Sequence, residues 1–267
     1  MATDLVTPAR AAWNQAPAWP HARHDEVHIW RAHVDLPPHR VFRLARVLSP
    51  DEARRANQLF FEADRRRFTV ARGLLRTILG RYLRVSPAEL HFCYGPQGKP
   101  ALAPEYGEGR LHFSVSHSHR LALYAVAYDR QVGVDVEYMR PHLASREVAE
   151  RFFAPAEVAR LAMFPEALQG EAFFCCWTRK EAYLKARGDG LSLPLDEFYV
   201  SLTPGVEHVE LHTPRDPAEA ARWHIRALDP KPGYAAAVAV EGSGWRLCRW
   251  RWAPRGRRRA RRREWEP

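Results

Sequence analysis

The chain has 267 residues, 46% of them hydrophobic and nine of them Trp, which is enough to bury a core and too apolar for a disordered chain. Its formal charge of +10 is unevenly placed: Arg246 to Pro267 carries ten Arg against two Glu, a net of +8, which leaves +2 for the other 245 residues. Binding of nucleic acid through bulk charge is thereby confined to that tail.

Residues 1–24 are rich in Pro and Ala without period and read as a loose lead-in. VHIWRAHV, Val27 to Val34, alternates apolar and polar as a half-buried strand does. Ser49-Pro50-Asp51-Glu52 places a cap, a first-turn proline and two acids ahead of a helix carrying ARRANQLFF. A second helix follows in DRRRFTVARGLLRTILGRYL, with Phe68, Leu75, Leu79 and Leu83 on helical spacing. LHFSVSHS predicts a strand that runs into a loop, and LALYAVAYD and VGVDVEYM predict two more strands across an Asp129-Arg130 turn. Beyond Pro141 the pattern is helical in PAEVARLAMF and in the long EAFFCCWTRKEAYLKAR, which stops at Gly188. Strands are expected again at FYVSL, VEHVEL, WHIRAL and YAAAVAV.

LALYAVA in the first half resembles GYAAAVAV in the second, a repeat of roughly 110 residues. The fold expected is α+β: two pseudo-symmetric halves, each a small, mostly antiparallel sheet on a long helix, with the site in the cleft between them. The boundaries read 25–132 and 133–245 for the halves and 246–267 for an Arg-rich, disordered tail. No apolar run follows the polar start MATDLVTPAR, and no 18-residue apolar stretch occurs, so neither a signal peptide nor a membrane-spanning helix is expected. Cys93, Cys175, Cys176 and Cys248 lack CxxC spacing and read as buried, reduced thiols of a cytoplasmic protein.

Four stretches could carry chemistry. In GVDVE, Asp135 and Glu137 share one strand face while Val134 and Val136 point to the core. Two like charges at i and i+2 repel; a divalent cation with hard oxygen ligands relieves that, and so does plain solvent on a wet face. SHS, Ser116 to Ser118, gathers hydroxyls and the His117 imidazole as a phosphate contact does, whereas no GxSxG elbow supports a nucleophilic triad. GPQGKP, Gly95 to Pro100, is a turn in which Lys99 could meet a base or a phosphate. WTRKEAYLKARGDGL, Trp177 to Leu191, places Glu181 and Lys185 at i, i+4 below Phe173 and Trp177, which suits either an ordinary helical ion pair or the wall of a cleft.

Read in order, GKP, SHS, GVDVE and W-x-x-K-E-x-x-x-K followed by G-x-G-L resemble the 4′-phosphopantetheinyl transferases, in particular the large two-halved class that activates surfactin-type peptide synthetases. The likeness runs from about Ser49 to Leu202 and more weakly to Val240, and FFAPAEVARL and LSLPLDEFYV belong to it. It implies transfer of 4′-phosphopantetheine from coenzyme A to a serine of an acyl or peptidyl carrier protein, with Mg²⁺ required. On motif position it implies Asp135, Glu137 and Glu181 as metal ligands and Glu181 as candidate base. It also implies Lys185 on the departing phosphate, Ser116 and His117 on the coenzyme A phosphates, Lys99 at the adenine end, and Arg55 and Arg67 toward the 3′-phosphate. A monomer follows from the two-halved form. One departure is Ser114, where the family has Asn before its SHS, which puts any hydrogen bond from that position in doubt. Two alternatives stay open: a nucleic-acid-binding protein working through the tail, and a coenzyme A-binding scaffold without catalysis.

Overall fold

The computed structural model describes residues 12–253, apart from Glu108 and Asp189. In chain order the first half runs β1 (Asn14–Gln15), β2 (Glu26–His33), α1 (Pro38–Ala45), α2 (Pro50–Gln58), α3 (Glu62–Leu83), a small hairpin of β3 (Phe92–Tyr94) and β4 (Pro100–Leu102), then β5 (Leu111–Ser118) and β6 (Leu121–Tyr128). The second half runs β7 (Val132–Tyr138), α4 (Arg146–Phe152), α5 (Pro155–Ala162), α6 (Glu166–Arg187), β8 (Tyr199–Val200), β9 (His208–Val209) and β10 (Leu211–His212). It ends with α7 (Pro217–Ala221), β11 (Trp223–Leu228), β12 (Tyr234–Glu241) and β13 (Arg246–Arg251). The class is α+β, as the alternation of periods implies.

Two sheets stack face to face between two long helices. The first has the order β1-β13-β2-β6-β5 and the second β7-β12-β11-β9. β6 is apolar on both faces because it serves two cores. Ala122, Tyr124 and Val126 pack toward Val70, Leu74 and Ile78 of α3, whereas Leu121, Leu123 and Ala125 meet Val134, Val136 and Val238 of the second sheet. β12 is apolar for the same reason: Ala235, Ala237 and Ala239 pack under α6, and Ala236, Val238 and Val240 fill the layer between the sheets. The similar stretches LALYAVA and GYAAAVAV are thus each an inner strand of a sheet.

Several expectations are corrected. The Arg-rich tail does not begin at Arg246: Arg246–Arg251 is β13, paired in parallel with β2 and with β1. Its cations mask an alternation in which Trp250 and Trp252 pack on the α3 side and Leu247 on the other. The rest of the predicted tail, 254–267, lies outside the described residues. The lead-in is tied down from Trp13, whose ring lies 4.7 Å from the Arg31 guanidinium and whose Nε1 donates to Asp229 O. SHS is not a loop but the end of β5; the turn follows it, with His119 at φ 52°. Helix α1 went unforeseen, since PHRVFRLA offers only Val41 and Leu44 to the α3 side. Among the cysteines only Cys176 is buried; Cys93 is exposed, and all four are free.

Candidate active site

The site is built where α6 crosses β7. A Cβ on Gly133 would lie 2.1 Å from Ala182 O and 2.2 Å from the Ala186 amide, so a glycine is required for strand and helix to touch. Two residues on, Asp135 shares that face and is 2% exposed, with Glu137 half-buried beyond it. The alternative of a solvated acidic strand face is therefore excluded. From α6, Lys185 Nζ donates to Asp135 Oδ1 at 2.5 Å and to Ser116 Oγ at 3.3 Å. Asp135 Oδ2 is buried without a hydrogen-bond partner.

Electrostatics follow from that crowding. Burial, and then the charges of Asp135 and Glu137, push the Glu181 carboxyl above the usual glutamate range, although Lys185 opposes the shift. Glu137 is raised first by burial and then by Asp135, with a hydrogen bond from Ser118 working the other way. Burial alone would lower Lys185, but Asp135, Glu181 and Glu137 outweigh it and hold the ammonium above its usual range. Lys185 is thus bonded to one carboxylate and feels the charge of two more, one carboxylate oxygen has no partner, and two of the acids resist ionisation. Hard oxygen donors under this strain are of the type a divalent cation would relieve.

The opposite wall comes from the first half. Ser116 donates to Asp135 Oδ1 at 2.7 Å, and Ser118 donates to Glu137 Oε2 at 2.6 Å. His117, exposed near the end of β5, points away from the serine face, and desolvation, Lys185 and Arg67 all keep its imidazole below the usual histidine range. Arg67 is held by Asp64 at 3.2 Å. The β3–β4 hairpin closes the cleft from one end: Lys99 Nζ donates to Ala186 O at 2.9 Å and to Gln131 Oε1 at 3.3 Å. It meets the glycine loop after α6, where Gly188 caps the helix at φ 86° and Gly190 sits at φ 56° against Gln97. Between these parts lies a cavity of 260 Å³ lined by Lys99, Phe113, Leu184, Glu181 and Lys185 among others.

Comparison with known proteins identifies the family. The 4′-phosphopantetheinyl transferase superfamily matches residues 131–239, and the 4′-phosphopantetheinyl transferase N-terminal family matches residues 37–128. The 4′-phosphopantetheinyl transferase HetI of Nostoc sp. is 46% identical over 226 residues, which is 85% of this chain and 92% of that protein. The chain belongs to the 4′-phosphopantetheinyl transferase family. The transferase Sfp of Bacillus subtilis is 31% identical, covering 72% of this chain and 82% of its own length. Among solved structures, the holo-acyl-carrier-protein synthase of Thermotoga maritima is similar over 42% of this chain and 63% of that one, at 20% identity and a TM-score of 0.33.

Not every residue of the transferase motifs lies at the cleft. Lys180, next to Glu181, is fully buried on another face of α6, where it donates to Glu157 Oε2 at 2.6 Å and to Phe198 O at 2.5 Å. Glu157 also accepts from the Ala154 and Val200 amides, so this pair ties α5, α6 and β8 together. Arg55 lies exposed on α2 with its guanidinium 5.8 Å from the Phe68 ring centre, apart from the carboxylates. On sequence alone Ser118 belongs to a phosphate-contacting stretch; in the structure its hydroxyl serves Glu137. The shared i, i+2 spacing of S-V-S-H-S and V-D-V-E was the available signal. Among the described residues, the group whose ligand-type atoms lie within 4.8 Å of one another is a different one, Glu26, His28 and Cys248. There, however, His28 is already bonded to Glu26 and to the Tyr82 hydroxyl, and Arg246 pairs with Glu26, which makes it a satisfied structural network.

Proposed function

We propose that this transferase moves the 4′-phosphopantetheine group from coenzyme A to a serine of acyl or peptidyl carrier-protein domains, such as those of fatty-acid, polyketide or peptide synthases, and releases 3′,5′-ADP. The observation that carries the reading is the buried, unpartnered Asp135 Oδ2 beside Glu137, Glu181 and Lys185. Asp135, Glu137 and Glu181 are the residues that would hold Mg²⁺, which when bound neutralises the diphosphate. The serine oxygen bonds to the phosphorus that bears the pantetheine arm, the bond from that phosphorus to the ADP oxygen breaks, and the serine proton passes to Glu181. Catalysis of this kind is largely positioning and charge neutralisation. Lys185 neutralises the phosphate that leaves with ADP, and its bond to Asp135 already aims it across the cleft. His117 meets the coenzyme A phosphates, whereas Ser116, buried with its hydroxyl committed to Asp135, the Val136 amide and Lys185, acts behind them in the wall. Lys99 and its hairpin border the adenine end, and Arg67 together with Arg55 supplies charge toward the 3′-phosphate.

Both walls of the cleft come from one chain, which supports action as a monomer. Four free thiols support a reducing, cytoplasmic setting, and among the described residues no helix is long and apolar enough to cross a membrane. The test is the intact mass of an apo carrier domain incubated with this protein, coenzyme A and Mg²⁺. A gain of one phosphopantetheine group, abolished by EDTA and by Glu181→Ala, is the expected result. An unchanged mass on a panel of carrier domains, with the protein folded, would refute it.

A further inference from the structure

β5 and β7 lie side by side, each at the edge of its own sheet, and no backbone ladder joins them among the described residues. An edge strand left this way has amides without partners, which is costly where water is excluded. Here serine hydroxyls stand in for carbonyls. The Val134, Val136 and Tyr138 amides donate to Ser114, Ser116 and Ser118 Oγ at 3.1, 3.4 and 3.0 Å. Both strands advance by two residues per rung, so the seam is a parallel pairing made of side chains on one strand and backbone on the other.

A hydroxyl differs from a carbonyl in having a proton to give. Ser116 gives its proton to Asp135 and Ser118 gives its proton to Glu137, whereas Ser114 faces no carboxylate in the same way. Asp135 has a second partner in Lys185. For Glu137, the hydrogen bond from Ser118 is the one that orients it. A glutamate has enough rotamer freedom to turn away from a like charge such as Asp135 unless something holds it. We propose that Ser118 is a positioning residue. Its hydroxyl, fixed by the Tyr138 amide, aims the Glu137 carboxylate into the divalent-cation site, so that the seam between the two sheets sets the geometry of that site. This rests on the metal reading given above.

Ser114 provides a control, because its loss removes a rung of the same seam without touching a carboxylate. The experiment titrates Mn²⁺ into the full chain with coenzyme A present, follows binding by electron paramagnetic resonance, and records a melting curve for each variant. Ser118→Ala is expected to weaken Mn²⁺ binding about tenfold, the size typical of lost support for a metal ligand. Ser114→Ala is expected to bind Mn²⁺ as wild type does while melting slightly lower, as Ser118→Ala also does, and Ser118→Thr is expected to restore binding. If Ser118→Ala binds Mn²⁺ like wild type, or if Ser114→Ala weakens it equally, the positioning role is overturned and the seam is merely structural. Failure of the wild-type chain to bind Mn²⁺ would overturn the metal reading itself, and this inference with it.

Discussion

Replacing Lys180 by Met removes a charge and keeps most of the side-chain stem. Lys180 and Glu157 are each 1% exposed and 2.6 Å apart. After the change, Glu157 keeps its two backbone donors, Ala154 N at 2.9 Å and Val200 N at 2.8 Å, but loses its only described cation. Phe198 O likewise loses its donor. Breaking one partner out of a buried pair costs about 3–5 kcal/mol, because the charge left behind stays desolvated. For a chain of this size each kcal/mol moves the melting temperature by roughly 2 °C, so a fall of about 6–10 °C is expected. Turnover measured well below both melting points should stay near wild type, since Lys180 faces α5 and β8 while Glu181 and Lys185 face β7. Glu157→Gln in the Lys180→Met background should recover part of the loss, because it neutralises the stranded acid. Differential scanning calorimetry with a carrier-modification assay checks both halves of the prediction. A Lys180→Met protein that melts like wild type yet fails to turn over would place this lysine in the chemistry and refute the reasoning.

Two further outcomes follow from the same structure. Glu137 and Glu181 have folded pKa values raised above the ordinary range, chiefly by burial, so the native metal-free protein holds protons that the unfolded chain releases. Their stabilising contribution is fully present below the ordinary glutamate pKa and is lost as pH rises through the raised folded values. Metal-free Glu181→Gln should therefore melt above metal-free wild type beyond that window and show no such advantage below it; melting curves from acid to neutral pH with EDTA present would contradict this if the two proteins stayed parallel. Ending the chain at Ala253 should leave the fold and the transferase activity intact. Ending it at Trp245 strips β13 from between β1 and β2, takes Arg246 from the buried Glu26, and should lower the melting temperature by about 10 °C or more. Equal circular-dichroism melts for the two truncations would show that β13 is dispensable.

By itself the sequence determined the elements whose period is unambiguous and the motifs that name the family. Strands β2 and β7 and helices α3 and α6 were legible because one-sided burial imposes a period of two or 3.6, and β6 and β12 were legible as short continuous apolar runs bounded by turn residues. Asp135, Glu137, Glu181 and Lys185 were legible through the motifs that resemble the family, since their spacing alone, i+2 on a strand and i+4 on a helix, equally suits a solvated face and an ordinary ion pair. Only the tertiary structure separated Lys180 from Lys185: the two lysines lie on one helix, and what differs is the neighbour each face meets, Glu157 in one case and Asp135 in the other. β13 stayed hidden because a strand that joins a distant sheet is specified by its partners, and its six residues look like charge until β2 lies beside them. The serine seam escaped for the same reason. A hydroxyl becomes a rung only when another strand's amide stands opposite it, and no local spacing says which edges will meet.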